Sequence, residues 1–236
     1  MTAIRWVFLD VGGPILDETL LQEHWGRIFR EAAGAEGAPC DEELYRRLSA
    51  EGIVAYAGST TEYIAWRLAD GDLDRHRRIQ KRFWENLRAM SDSDYRRLNP
   101  IQSGAAEAIR ELSSDYRLGI IANQPARVEG LLREYGVWDH FQVKGISEVI
   151  GLFKPEVRLY QAILEKAGAS AAESVMIGDR IDNDIVPARL LGMKSVQLKV
   201  GRHAEQRPRI PGEIPHRIIS RMEDLPEAIR ALSETS

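Results

Sequence analysis

The sequence predicts an open, doubly wound parallel α/β fold carrying a small all-helical insertion. Two observations lead there. Short β-branched apolar runs recur along the chain, each ending at Gly, Asn or Asp, and helical patterns separate them. Only the stretch from Leu16 to Asn99 breaks that alternation. Near-continuous apolar runs of this length match strands buried on both faces of a parallel sheet. Strand and helix in alternation imply right-handed crossovers.

The predicted strands are Ile4 to Leu9, Leu118 to Ala122, Val175 to Ile177, Ser195 to Leu198 and Arg217 to Ile219. Helical patterns run from Gly104 to Leu112, Val128 to Tyr135, Glu156 to Ala167 and Asp184 to Leu191. Within the interruption, Leu20, Leu21, His24, Trp25, Ile28 and Phe29 fall at helical spacing. Asp41 is placed to cap a second helix, and Ser59 with Glu62 forms a capping box for a third. Asp74 is assigned as the cap of a fourth. This gives a core of residues 1–14 and 100–236 and a four-helix insertion of residues 15–99. The crossings fall near Gly13–Pro14 and Asn99–Pro100, where chain breakers cluster. Lys199 to Pro215, rich in proline and basic residues, reads as a loop.

The 236 residues, 44% hydrophobic and 29% charged, suffice for a buried core. A formal net charge of -4 offers no broad attraction to nucleic acid or an anionic membrane. Cys40 is the single cysteine, so no intrachain disulfide can form, and its surroundings suggest a structural thiol. The apolar run at the N-terminus is too short for a signal peptide, and no stretch approaches the ~20 apolar residues of a membrane span. Cytoplasmic residence is the default expectation.

Chemistry concentrates at strand ends, where open α/β sheets gather ligands. Asp10 closes the first strand and is followed by Val11-Gly12-Gly13-Pro14. The glycines allow a sharp turn and let backbone N–H groups approach an anion. Val175-Met176-Ile177-Gly178-Asp179 is a second strand ending in aspartate, with Asp182 and Asp184 just beyond. Carboxylates converging from two strand ends repel unless a cation lies between them, and oxygen-only ligands suit Mg²⁺. Asp182 reads as a solvated loop residue, and Asp184 as a helix cap that also supports the metal shell. Lys154, held by Pro155 ahead of a helix, is a fixed cation able to balance Asp10 and a phosphoryl group.

The segments FLDVGGPIL, GIIANQP, GLFKP and MIGDRIDNDIVPARLLGM resemble, in order and spacing, the four signature motifs of the haloacid dehalogenase superfamily. The resemblance covers Ile4 to Gly13 and about Pro100 to Val200, with the inserted helices similar to the family's cap. It implies a three-layer αβα sandwich and a Mg²⁺-dependent hydrolase acting on a small phosphorylated molecule. Asp10 would form a covalent aspartyl intermediate, and Lys154 would orient and neutralise it. Asp10, Asp179 and the main-chain carbonyl of Gly12 would bind the metal, with Asp184 supporting. Gly13, Ala122 and Asn123 would lie beside the phosphate.

Two positions depart from the family pattern. Gly12 stands where family phosphatases carry an aspartate as general acid and base, and Ala122 where they offer a hydroxyl to the phosphate. Asp17, Glu18, Glu23 and His24 are the candidate substitutes for the missing proton carrier. Two alternatives follow from the departures: a catalytically impaired relative that binds a ligand or protein, or a hydrolase of C–P or C–halogen bonds. The C–P route needs a cap lysine, and Lys81, in an Arg-rich helix, is the sole lysine there. Neither the substrate's identity nor the oligomeric state is encoded legibly.

Overall fold

The computed structural model describes residues 3–234. Six parallel strands form one sheet: β1 (Trp6–Leu9), β2 (Arg117–Ala122), β3 (Phe141–Ile146), β4 (Ser174–Gly178), β5 (Lys194–Leu198) and β6 (Arg217–Ile219). Their spatial order is β3-β2-β1-β4-β5-β6. The chain therefore winds outward from β1 in one direction and from β4 in the other, and the switch point lies between the carboxyl ends of these two strands. Five strands coincide with the apolar runs. β3 was not anticipated, and its position explains why: it is an edge strand in which Gln142 is exposed and Lys144 half-buried, so no continuous apolar run marks it.

The described chain forms two units, residues 3–17 with 100–234, and Glu18–Asn99. The second unit is all-helical: α1 (Thr19–Ala35), α2 (Glu42–Val54), α3 (Thr60–Ala69), α4 (Leu73–Arg88) and α5 (Asp92–Leu98). It has its own apolar core, in which Phe29 meets both Tyr45 and Phe83 with ring centroids 5.7 Å apart. Asp41 caps α2 by accepting from the Leu44 N–H, and Ser59 caps α3 by accepting from the Glu62 N–H, as their spacing suggested. Two expectations are corrected. Asp72, not Asp74, caps α4, because Asp72 holds the extended backbone a cap requires and its side chain accepts from the Arg75 N–H. The helices number five, because Ser91 caps a further short one whose buried residues are Tyr95 and Leu98. Cys40 is buried, and burial raises its thiol pKa, consistent with a structural role.

The remaining helices belong to the sheet-bearing unit: α6 (Ala105–Asp115), α7 (Val128–Glu134), α8 (Ser147–Ile150), α9 (Val157–Ala167), α10 (Val186–Leu190) and α11 (Leu225–Glu234). One sheet face presents Trp6, Phe8, Ile121, Val143 and Met176 to Leu159, Tyr160 and Ile163 of α9 and Ala188 of α10. The residues between them, Val7, Leu9, Ile120, Val175 and Ile177, point to the other face and are equally buried. There α6 packs against β2, and α11 against α6 and β6. The segment from Lys199 to Pro215 contains only two short 3₁₀ turns, Gly201–His203 and Pro211–Glu213. Among the described residues, no helix is long and apolar enough to cross a membrane.

Candidate active site

The site is assembled from the carboxyl ends of four strands. Asp10 follows β1 and continues its pairing, donating its N–H to the Ile177 carbonyl at 2.8 Å. One carboxylate oxygen, Oδ1, accepts from the Val11 N–H at 2.7 Å. The chain then turns at Gly13, whose φ of +87° lies in the left-handed region that favours glycine. A Cβ at Gly13 would also press on Asp179, 3.0 Å from its Cβ and Cγ. Gly13 is thus needed for conformation and for the close approach of the first loop to the second aspartate. Gly12 forms a bridge with Leu16 and is absent from the positive-φ positions.

Asp179 follows β4, and Asp184 returns to it through a wide π-helical turn over Ile181–Ile185. Gly178 makes this return possible, because a Cβ there would overlap the Asp184 carboxylate. Asp184 is fully buried and accepts the Arg180 N–H on Oδ2 at 3.0 Å. Lys154 lies between the two loops. Its Nζ is 2.8 Å from Asp10 Oδ2 and 2.6 Å from Asp184 Oδ1, with 1% of the side chain exposed.

Electrostatics follow from that geometry. Burial alone would lower the Lys154 pKa, but the charges of Asp10 and Asp184 outweigh it and hold the ammonium above its ordinary value. Burial raises the Asp184 carboxyl to about 6, the nearby Lys154 opposing and Asp10 adding to the rise. Asp10, Asp179 and Asp184 each place a carboxylate oxygen within 4.8 Å of the others. Three carboxylates and one ammonium leave the cluster net negative, and its donors are hard oxygens. That donor set fits a small divalent cation of the Mg²⁺ type.

Asn123, just past β2, is engaged with Lys154 itself. Its Oδ1 accepts the Lys154 N–H at 2.8 Å and its Nδ2 donates to the Lys154 carbonyl at 3.0 Å. This pair of bonds fixes the backbone that presents the ammonium. Ala122, at the end of β2, is fully buried and contributes no polar group. Asp182 is not a solvated loop residue: it is nearly buried, pairs with Arg180 at 2.5 Å and accepts from Gln206 Nε2 at 3.1 Å. Burial opposes its ionisation, but Arg180 and Gln206 prevail and lower its pKa. Sequence reasoning also missed Tyr160, whose hydroxyl donates to the Asn183 carbonyl at 2.6 Å and steadies the turn. His24 lies in the helical unit, where burial and Arg27 lower its pKa. Lys81 is exposed, 3.9 Å from Glu85, as expected of a solvated helix face.

A parallel sheet with three clustered carboxylates and a buried lysine past the carboxyl ends of its strands makes this an α/β protein with an acidic site at its switch point. The chain belongs to the haloacid dehalogenase-like hydrolases, whose family model matches residues 4–192. It is 26% identical over 236 residues to a glyceraldehyde 3-phosphate phosphatase of Methanopyrus kandleri, covering 98% of this chain and 99% of the relative. It is 28% identical over 201 residues to a protein of the same name from Pyrococcus abyssi, covering 84% and 83%. A phosphoserine phosphatase of Thermus thermophilus is 30% identical over 193 residues, covering 75% and 73%. Among solved structures, a putative phosphatase from Clostridium difficile superposes with a TM-score of 0.71 at 16% identity, covering 97% of this chain and all of that one. At that identity the likeness establishes the fold alone.

Proposed function

We propose that this hydrolase cleaves a small phosphate monoester through a phosphoryl-enzyme intermediate on Asp10, with Mg²⁺ held by Asp10, Asp179 and the Gly12 carbonyl and supported by Asp184. The observation that carries the reading is the buried Lys154 ammonium in contact with both Asp10 and Asp184, beside a third carboxylate. A cation fixed by two carboxylates is preorganised to meet the charge of an incoming phosphoryl group. The substrate class is supported by the relatives' names, since glyceraldehyde 3-phosphate and phosphoserine are both three-carbon monoesters.

In the first half-reaction, an Asp10 carboxylate oxygen attacks phosphorus and the bond to the ester oxygen breaks. Lys154 balances the charge on Asp10, and the reciprocal bonds from Asn123 keep Lys154 in place. Bound Mg²⁺ would supply further charge neutralisation to the phosphoryl oxygens. In the second half-reaction, water attacks phosphorus, releasing phosphate and regenerating Asp10. Gly12 has no side chain to protonate the leaving oxygen, a function worth about 10²–10⁴ in rate. The chain should therefore favour leaving groups that depart without a proton, such as aryl or acyl phosphates. Phosphate release from a panel of aryl, acyl and three-carbon alkyl phosphates, with Mg²⁺ and with chelator, tests this. Activity that survives chelation would contradict the metal reading, and faster turnover of alkyl than of aryl phosphates would show that another group replaces the missing proton donor.

A further inference from the structure

The segment 199–215 has no strand or long helix, yet it contains three of the most buried polar side chains in the molecule: His203 at 3% exposure, Gln206 at 1% and Glu213 at 5%. Of these, Gln206 reaches the turn that carries Asp184. Its Oε1 accepts the Ile181 N–H at 2.8 Å, and its Nε2 donates to Asp182 Oδ1 at 3.1 Å. The Ile181 N–H opens the π turn, where a helix leaves donors without intrahelical partners. Gln206 is anchored at its base, donating its N–H to the His203 carbonyl at 2.9 Å.

Besides Arg180, which precedes the turn and bonds Asp182 and Asp184, three groups from elsewhere in the chain hold it. Lys154 grips Asp184, Tyr160 grips the Asn183 carbonyl, and Gln206 grips Ile181 and Asp182. Asp179 lies two residues before this five-residue turn and Asp184 is its fourth residue, so the shape of the turn sets their separation. A wide turn has fewer internal restraints than a regular helix, which makes the outside contacts the determinants of its shape.

We propose that Gln206 is a positioning residue for the metal site, setting the placement of Asp184 relative to Asp179 through Ile181 and Asp182. The proposal rests on the Mg²⁺ reading above. Residues that orient metal ligands from outside the coordination sphere typically contribute about 10–100-fold in metal affinity.

The test is calorimetric titration of the full chain with MgCl₂, paired with thermal melting. Gln206→Met keeps the volume and removes both hydrogen bonds, and should weaken Mg²⁺ binding by about tenfold. Gln206→Glu keeps the acceptor for Ile181 but sets a like charge beside Asp182, and should also bind more weakly. A purely structural role predicts otherwise: lower melting temperatures with Mg²⁺ affinity unchanged, a result that overturns the proposal. If the unaltered chain binds no Mg²⁺, the metal reading itself fails; if it binds and Gln206→Met binds equally, only the role of Gln206 is lost.

Discussion

Lys154→Met is the perturbation whose consequences the geometry specifies most fully. Methionine fills the space of the lysine stem but leaves Asp10 and Asp184 without the ammonium that lies 2.8 Å from one and 2.6 Å from the other. Removing one partner of a buried ion pair costs about 3–5 kcal/mol. At roughly 2–4 °C per kcal/mol for a chain of this size, the melting temperature should fall by about 6–20 °C at pH 7.5 in the presence of chelator. The loss should depend on pH. Asp184 titrates near 6 in the folded chain against 3.8 ordinarily, so the folded state holds the proton more tightly. Its contribution is fully favourable below about 3.8 and is lost as pH rises through about 6. Without Lys154 the upper limit of that window moves higher, and a protonated carboxyl needs no ammonium. The deficit of the variant should therefore shrink at pH 5.5. Activity with Mg²⁺ should fall by about 10²–10³, the scale for removal of one preorganised charge-stabilising group. Melting identical to the unaltered chain at pH 7.5, or a deficit equal at both pH values, would refute this account of the cluster.

The other substitutions address separate parts of the mechanism. Gly12→Asp should raise turnover of alkyl phosphates by up to about 10²–10⁴ while changing p-nitrophenyl phosphate little, as a restored proton donor requires; equal gains on both would assign the carboxylate another role. Left-handed backbone falls at Gly13 rather than Gly12, so an aspartate at position 12 meets no left-handed strain. Asp179→Ala should abolish calorimetrically detected Mg²⁺ binding, and undiminished affinity would remove Asp179 from the site. Lys81→Met should leave all activity intact because the side chain is solvated, whereas loss of activity would favour the C–P bond reading.

Legibility of the sequence varied with burial. β1 and β4 are covered on both faces, so their apolar runs could be read directly, and with them the strand-end aspartates Asp10 and Asp179. β3 at the sheet edge alternates exposed and buried residues and carries no such mark. Asp72 and Asp74 lie two residues apart, and backbone geometry rather than residue type decides which one caps α4. The cluster around Lys154 was legible through the motif order, but the burial of Asp182 and the contact from Gln206 were not. Gln206 is 24 residues from Asp182 in a segment without periodicity, and only the tertiary fold brings them together. Asn123 could be singled out from the motif order, while its bonds to the Lys154 backbone depend on how two loops converge.

The central claim is that Asp10 becomes covalently phosphorylated during turnover. The chain, mixed with acetyl phosphate and Mg²⁺ and quenched in acid within the first turnover, can be digested and analysed by mass spectrometry. The account predicts a phosphoryl adduct on the peptide containing Asp10, removed by hydroxylamine and absent from Asp10→Asn. Release of phosphate by Asp10→Asn at the rate of the unaltered chain, with no adduct in either protein, would contradict it.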